Sequence, residues 1–352
     1  MAFMLEASFL AIMMFGWKRV SPGMHLFATA MVALGSSLSA FWIMDANSWM
    51  HTPTGGHMEN GRFVITSQLE AIFNPDMVWG VSHMWVACIE ISLFVIGGVS
   101  AWYMLKNRHT EFFLRSFKIA VITAIVVTPL QVWLGDGSGR SVFEHQPTKL
   151  GAMEAHWHTN PDGEGAPWHI VAWPDKARQD NLWAIDIPDA LSLITTHSRT
   201  GKVKGLREFP PEDQPPILIP FYSFRIMIAI GLILFLVMLW TLFAWRKGYL
   251  VPERIAGRKR LLYAWIISAP LSYLAMEAGW ATREVGRQPW VLYGKLRTMD
   301  SATVMPSAAV GTSLFTFTVI YGLLFVLFLV FARRIIARGP EPQVDRNGSF
   351  NV

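Results

Sequence analysis

Apolar residues in this chain fall in long unbroken runs, without the alternating or three-to-four spacing of half-buried strands and helices. Runs of about 18 or more, enough to cross a hydrocarbon core of ~30 Å, lie near Met24 to Met44, Met77 to Leu105, Phe117 to Leu134, Phe221 to Trp245, Leu261 to Trp280 and Ala309 to Phe331. In lipid every backbone polar group must be satisfied within its own segment, so all six are predicted to be helices. The predicted fold is therefore all-α: a polytopic transmembrane helix bundle with six complete spans. Ala2 to Trp17 is also apolar, but as a helix it would rise only ~24 Å, and it carries Glu6. Without the basic start and small-residue cleavage site of a signal peptide, it reads as a partial helix that begins upstream.

Polar positions divide the chain into residues 1–134 (the partial helix and three spans), a loop at 135–220, three more spans at 221–335 and a tail at 336–352. The loop, about 85 residues, far exceeds ordinary connections, and loops of that length tend to be functional. Pro- and Gly-rich stretches at 160–174 and 210–220 predict that it is structured, with turns. Charge orients the bundle. Lys18 and Arg19, then Lys106, Arg108, Arg115 and Lys118, then Arg246, Lys247, Arg254, Arg258, Lys259 and Arg260 make three segments basic, which places them in the cytoplasm with Arg333, Arg334 and Arg338. The segment from Asp45 to Asp76 is acidic and the long loop is mixed in sign, so both are predicted to be extracytoplasmic.

Composition agrees: 52% of residues are apolar and 16% charged, the balance of a membrane protein. The net charge of +5 is split among loops, not gathered in a patch, which argues against nucleic-acid binding. The single cysteine, Cys88, falls within a span and supports neither a disulfide framework nor a CxxC metal motif. Glycine motifs for dinucleotides or nucleoside triphosphates are absent, and no internal repeat marks an inverted-repeat transporter.

The candidate chemistry lies in ionisable residues in or at the ends of spans: Glu6, His83, Glu90, Arg225, Glu277 and Glu284. Each charge costs ~2.5–3.5 kcal/mol or more at mid-membrane unless paired or hydrated. His83 and Met227 each lie about one turn into a span at matching depth, and imidazole plus thioether is an axial pair for a low-spin haem iron. Against this, a lone intramembrane histidine can simply pack helices, and methionine commonly fills core gaps. Arg225, two residues before Met227, stands where it could meet a haem propionate. Glu284, by spacing alone, is a helix-end carboxylate paired with Arg283 or Arg287. Glu6 fits a proton relay or a polar contact with a neighbour. Glu90 follows His83 by seven residues on much the same face, with no assigned role.

Several stretches carry a resemblance: Glu277-Ala-Gly-Trp280, Gly286-Arg287-Gln288-Pro289-Trp290, Phe224-Arg225-Ile226-Met227, Ala33-Leu34-Gly35-Ser36-Ser37-Leu38-Ser39-Ala40 and Pro147-Thr148-Lys149-Leu150. Together they resemble subunit I of the cytochrome bd quinol oxidases, through nearly the whole chain. The resemblance implies a quinol:oxygen oxidoreductase of the bacterial inner membrane, with a low-spin haem b, a high-spin haem b, and haem d or a substitute haem b. It implies that His83 and Met227 ligate the low-spin iron beside Arg225, and that Glu284 ligates the high-spin haem b near Trp280. Arg287 and Gln288 belong to the family signature. Lys149 and Glu154, a surface ion pair on their own spacing, correspond to residues of quinol oxidation; Glu6 and Ser39 correspond to the proton route to the oxygen site.

The resemblance further implies a second membrane subunit, subunit II, and a small accessory one, with quinol, oxygen and membrane lipid as the other partners. The short loop after Lys149 resembles the group that includes cyanide-insensitive oxidases. The family's subunit opens with roughly a hundred residues that have no counterpart here, among them a histidine ligand of haem d, so the expectation is an incomplete chain. Two other readings stay open: a non-catalytic haem-binding membrane fragment, and a proton-coupled transporter.

Overall fold

The structure, a computed structural model, describes residues 2–340, 343, 344, 350 and 351. Its helices are α1 (Ala2–Phe15), α2 (Pro22–His51), α3 (Gln68–Ile72), α4 (Met77–Leu105), α5 (Thr110–His145), α6 (Pro147–Glu154), α7 (Ala190–Thr196), α8 (Leu218–Arg246), α9 (Pro252–Ile255), α10 (Lys259–Val285), α11 (Thr298–Ser301) and α12 (Ser307–Arg338). Small antiparallel hairpins join them: β1 (Gly56–Glu59) with β2 (Arg62–Ile65), β3 (Trp168–Asp175) with β4 (Asp180–Ile187), and β5 (Trp290–Leu292) with β6 (Leu296–Arg297). Six helices, α2, α4, α5, α8, α10 and α12, are long and apolar enough to span a membrane, matching the six predicted runs. The tail expected at 336–352 begins inside α12 and then falls mostly outside the described residues.

Most of the long helices extend past their apolar runs. Ser21 caps α2, its side chain accepting from the Met24 amide, with Pro22 just inside the first turn. The largest correction concerns α5. It was expected to end at Leu134 but continues to His145 through Gly135, Gly137 and Gly139, so the loop is shorter than predicted. These glycines lie within the helix and do not form a turn, and Gly137 makes room for α4: a Cβ there would lie 2.1 Å from the Trp79 indole.

Helix α4 packs on α5 and α10, and α8 packs on α10 and α5, so α4 and α8 face each other across a four-helix ring. Helix α2 lies against the outside of α4, and α1 against α2. The apolar core sits toward the end with the basic loops, where Phe94 stacks on Trp265 (centroids 4.8 Å apart) and Phe117 meets the same indole edge-on. The Trp265 indole N–H is satisfied by the Thr241 hydroxyl at 2.7 Å. Near the opposite end the helices present polar side chains, capped by α6, the β3–β4 hairpin and α7. Helix α12 buries none of its residues in this chain.

Candidate functional site

The ring places His83 on α4 and Met227 on α8, on opposing helices. Their depths differ slightly from the expectation: His83 is nearly two turns into its helix and Met227 about two and a half. Each is backed by a glycine. A Cβ on Gly135 would lie 3.4 Å from His83 Cε1, and one on Gly279 3.0 Å from Met227 Sδ. One turn on, Gly139 leaves the same face of α5 without a side chain. The imidazole is met by the Gln131 amide, whose Nε2 lies 3.4 Å from both ring nitrogens, while Gln131 Oε1 is buried without a partner. An imidazole and a thioether from opposite walls, with side chains trimmed to glycine behind both, fit the two faces of a planar haem.

Two residues before Met227 on α8, Arg225 is fully engaged by the protein. Its Nη2 donates to Glu154 Oε2 at 2.6 Å and to the His169 carbonyl at 2.6 Å, and Nε donates to that carbonyl at 2.8 Å. The guanidinium also lies over Trp168, 4.9 Å from its centroid, and Phe221, at 4.6 Å. Both charges are buried, so their cost is met by the pairing and the added hydrogen bonds. In this structure Arg225 fixes Glu154.

Lys149 and Glu154 are not a surface ion pair. Lys149 is 2% and Glu154 4% exposed, because α6 is buried from Thr148 to Glu154, packed on α8 and α5. The Lys149 stem packs on Gly286, and its amine makes no hydrogen bond or ion pair among the described residues. Burial, reinforced by nearby Arg283, lowers its pKa from 10.5 to about 7.

Glu284, at the end of α10, joins a second buried network. Its Oε2 accepts from Arg287 at 2.5 Å and its Oε1 from Asn47 Nδ2 at 2.7 Å, with His51 Nε2 3.7 Å away. The pairing with Arg287 that spacing predicts is therefore present. Arg283 turns the other way, donating to Asp76 Oδ2 at 2.6 Å, Asn47 Oδ1 at 2.5 Å and Ser48 Oγ at 3.1 Å. Asp76 Oδ1 also accepts from Ser141 at 3.3 Å. Among the described residues, buried Arg287 has no partner for Nε or Nη1, and buried His51 Nε2 makes no hydrogen bond. A carboxylate beside the free Nε and Nη1 donors of Arg287 fits a haem ligand whose neighbours hold acidic groups. Sequence reasoning missed Asp76, Asn47 and His51 as members of this site. Only the Asp-to-spans boundary at Asp76 hinted at one of them.

The remaining candidates are more peripheral. Trp280 is half-buried one turn before Glu284, and Gln288 Oε1 accepts from Thr298 at 2.8 Å, fixing the turn after α10. Helix α1 brings Glu6 against α2, where a Cβ on Gly35 would sit 2.9 Å from the Glu6 amide nitrogen. Ser39 lies one turn beyond Gly35, and Asn47 two turns beyond Ser39, so α2 carries polar groups from the Glu6 level to the Glu284 network. Glu90 is buried on α4 near Thr128 of α5 and touches neither site.

Comparison with known proteins adds independent findings. The family model described as cytochrome bd terminal oxidase subunit I matches residues 1–340. The chain is 32% identical to cytochrome bd-II ubiquinol oxidase subunit 1 of Escherichia coli (strain K12), covering 97% of this chain and 78% of that protein. It is 33% identical to cytochrome bd ubiquinol oxidase subunit 1 of Bacillus subtilis (strain 168), covering 97% and 74%. Among solved structures, bd oxidase from Geobacillus thermodenitrificans superposes with a TM-score of 0.83 at 31% identity, covering 96% of this chain and 76% of that one.

Proposed function

Because the chain belongs to the cytochrome bd terminal oxidase subunit I family, we propose that it is the haem-bearing subunit of a quinol oxidase, with the low-spin site between His83 and Met227 and a high-spin site at Glu284. It is a multi-pass protein of the bacterial inner membrane. Bound haem supplies the one-electron carrier and the oxygen-binding iron. The chain's residues do the rest. His83 and Met227 offer a nitrogen and a sulfur from opposing helices. Arg225 positions the Glu154 carboxylate as an acceptor for a quinol hydroxyl proton, and Lys149, also on α6, carries an amine that titrates near neutrality. Ser39 and Glu6 on adjacent helices supply polar groups for protons arriving from the cytoplasm, and a second membrane subunit completes the complex.

The observation that carries this reading is the glycine-backed imidazole and thioether on facing helices. Losing either ligand opens the iron. In His83→Ala and in Met227→Leu the six-coordinate haem b signal of the reduced-minus-oxidised spectrum should disappear or turn high-spin; an unchanged spectrum in both would eliminate the pair.

Orientation follows from the basic loops, which put α6 and the β3–β4 hairpin on the outer face. A reporter active only outside the cytoplasm should therefore work when fused near Asp175. Activity of a cytoplasm-only reporter at that position would move quinol oxidation to the other side.

A further inference from the structure

From the β3–β4 hairpin we infer that its outer face lies in the head-group region of the lipid bilayer, making the hairpin a partition between lipid and the Arg225–Glu154 pair. The hairpin's polarity is inverted relative to a solvated sheet, where large apolar residues face in and polar ones out. His169, Ala172 and Ala184 turn inward, Ala172 opposite Ala184, while Asp186, which pairs with His169, is partly exposed. Its outward row holds Val171, Trp173, Trp183, Ile185 and Ile187, exposed by 37%, 48%, 50%, 59% and 44%. That row carries no charge. The charged residues Asp175, Lys176, Arg178 and Asp180 gather at the turn instead.

A contiguous exposed apolar patch on a folded loop marks a surface that something covers. Lipid is the occupant because of where the hairpin is attached. The Tyr222 hydroxyl donates to the Ala172 carbonyl at 2.8 Å, and Arg225 donates to the His169 carbonyl, so β3 is tied to the first turns of a membrane span. At that level α8 exposes Leu218 and Ile219, and Trp173 meets the Tyr222 ring with centroids 6.5 Å apart. The outward row thus continues the lipid-facing surface of α8, and tryptophan and tyrosine concentrate at the depth where a bilayer meets water. The inward row meanwhile supplies the carbonyl that fixes Arg225. The placement rests on the hairpin and α8 alone and stands apart from the haem assignments.

The test uses the intact complex in vesicles of phosphatidylethanolamine and phosphatidylglycerol, with an environment-sensitive fluorescent amino acid introduced by codon suppression at Ile185, Trp183, Ala184 or Asp162. The probe at 185 or 183 should show blue-shifted emission, quenching by lipids spin-labelled near the head group, and little quenching by aqueous iodide. At Asp162, an exposed side chain well away from the hairpin, iodide alone should quench. At the inward-facing Ala184 neither should. Iodide quenching at 185 and 183 equal to that at Asp162 would show a hydrated face and overturn the proposal. Protection from both quenchers would show a protein cover and overturn it equally.

Discussion

The two ends of the proposed electron path are built on opposite principles. Around Glu284, nearly every charge already has a partner: Arg283 holds Asp76, Asn47 and Ser48, and Arg287 and Asn47 hold Glu284. Among the described residues, His83 is met by the Gln131 amide, and a glycine stands behind it and another behind Met227. The paired network welds α2, α4, α5 and α10 together and contributes to the fold. The glycine-backed imidazole and thioether contribute little to it. A carboxylate in the network can bind iron only by exchanging the partners it has, whereas the imidazole and thioether have few to give up.

That contrast is broken most directly at Asp76. Removing one member of a buried, hydrogen-bonded ion pair leaves the other charge uncompensated, at a cost of about 3–5 kcal/mol. Asp76→Ala should therefore lower the thermal stability of the detergent-solubilised protein sharply, and Asp76→Asn, which keeps a hydrogen-bonding oxygen, should lower it less. Unfolding followed by circular dichroism measures both. If Asp76→Ala melts with the parent chain, the network contributes no net stability and the comparison fails.

A smaller effect on stability, with a large one on haem, is expected in the pocket. In Gly279→Val the added carbons press on Met227 Sδ, and overpacking costs typically about 1–3 kcal/mol, less where a flexible thioether can yield. The low-spin spectrum should be lost or shifted while the melting temperature changes modestly. Gly279→Ala, whose Cβ at 3.0 Å from the sulfur calls for only a small adjustment, should fall between. A parent-like low-spin spectrum in Gly279→Val would show that the sulfur has room to spare and no need of the glycine.

How far the sequence revealed this arrangement depended on distance along the chain. The six spans were legible because an unbroken apolar run has one stable form in lipid, and family membership removes the transporter reading. Helix ends were less so: the glycines of α5 look like a turn, yet they lie within the helix and Gly137 gives its space to Trp79. His83, Met227 and Glu284 could be singled out locally, and the Glu284–Arg287 pair lies within one turn of helix. The Arg225–Glu154 and Arg283–Asp76 pairs join residues 71 and 207 positions apart, and no local pattern announces them. Lys149 and Glu154, read as surface charges, are buried because α6 folds back onto α8 and α5.

Lys149 is where the paired network is incomplete, and it sharpens the comparison at the scale of one proton. Its amine makes no ion pair, and burial, with the positive charge of Arg283, brings its pKa to about 7. The folded-state value lies below that of the unfolded chain, so between pH 7 and 10.5 the unfolded chain binds the extra proton and Lys149 favours folding more as pH rises. Below pH 7 both states are protonated, and the penalty for the buried charge is present in full. In quinol oxidation the same titration has the opposite use: above pH 7 the neutral amine can take a proton that it cannot take below it. Quinol turnover should therefore rise through a midpoint near pH 7, and Lys149→Met should lose that step while keeping the low-spin spectrum, since the side chain lies against Gly286 and away from His83 and Met227. The stopped-flow rate of haem reduction by quinol, measured from pH 6 to 9 in both proteins, decides it. An unchanged pH profile in Lys149→Met would leave the amine a packing residue and assign the midpoint to another group.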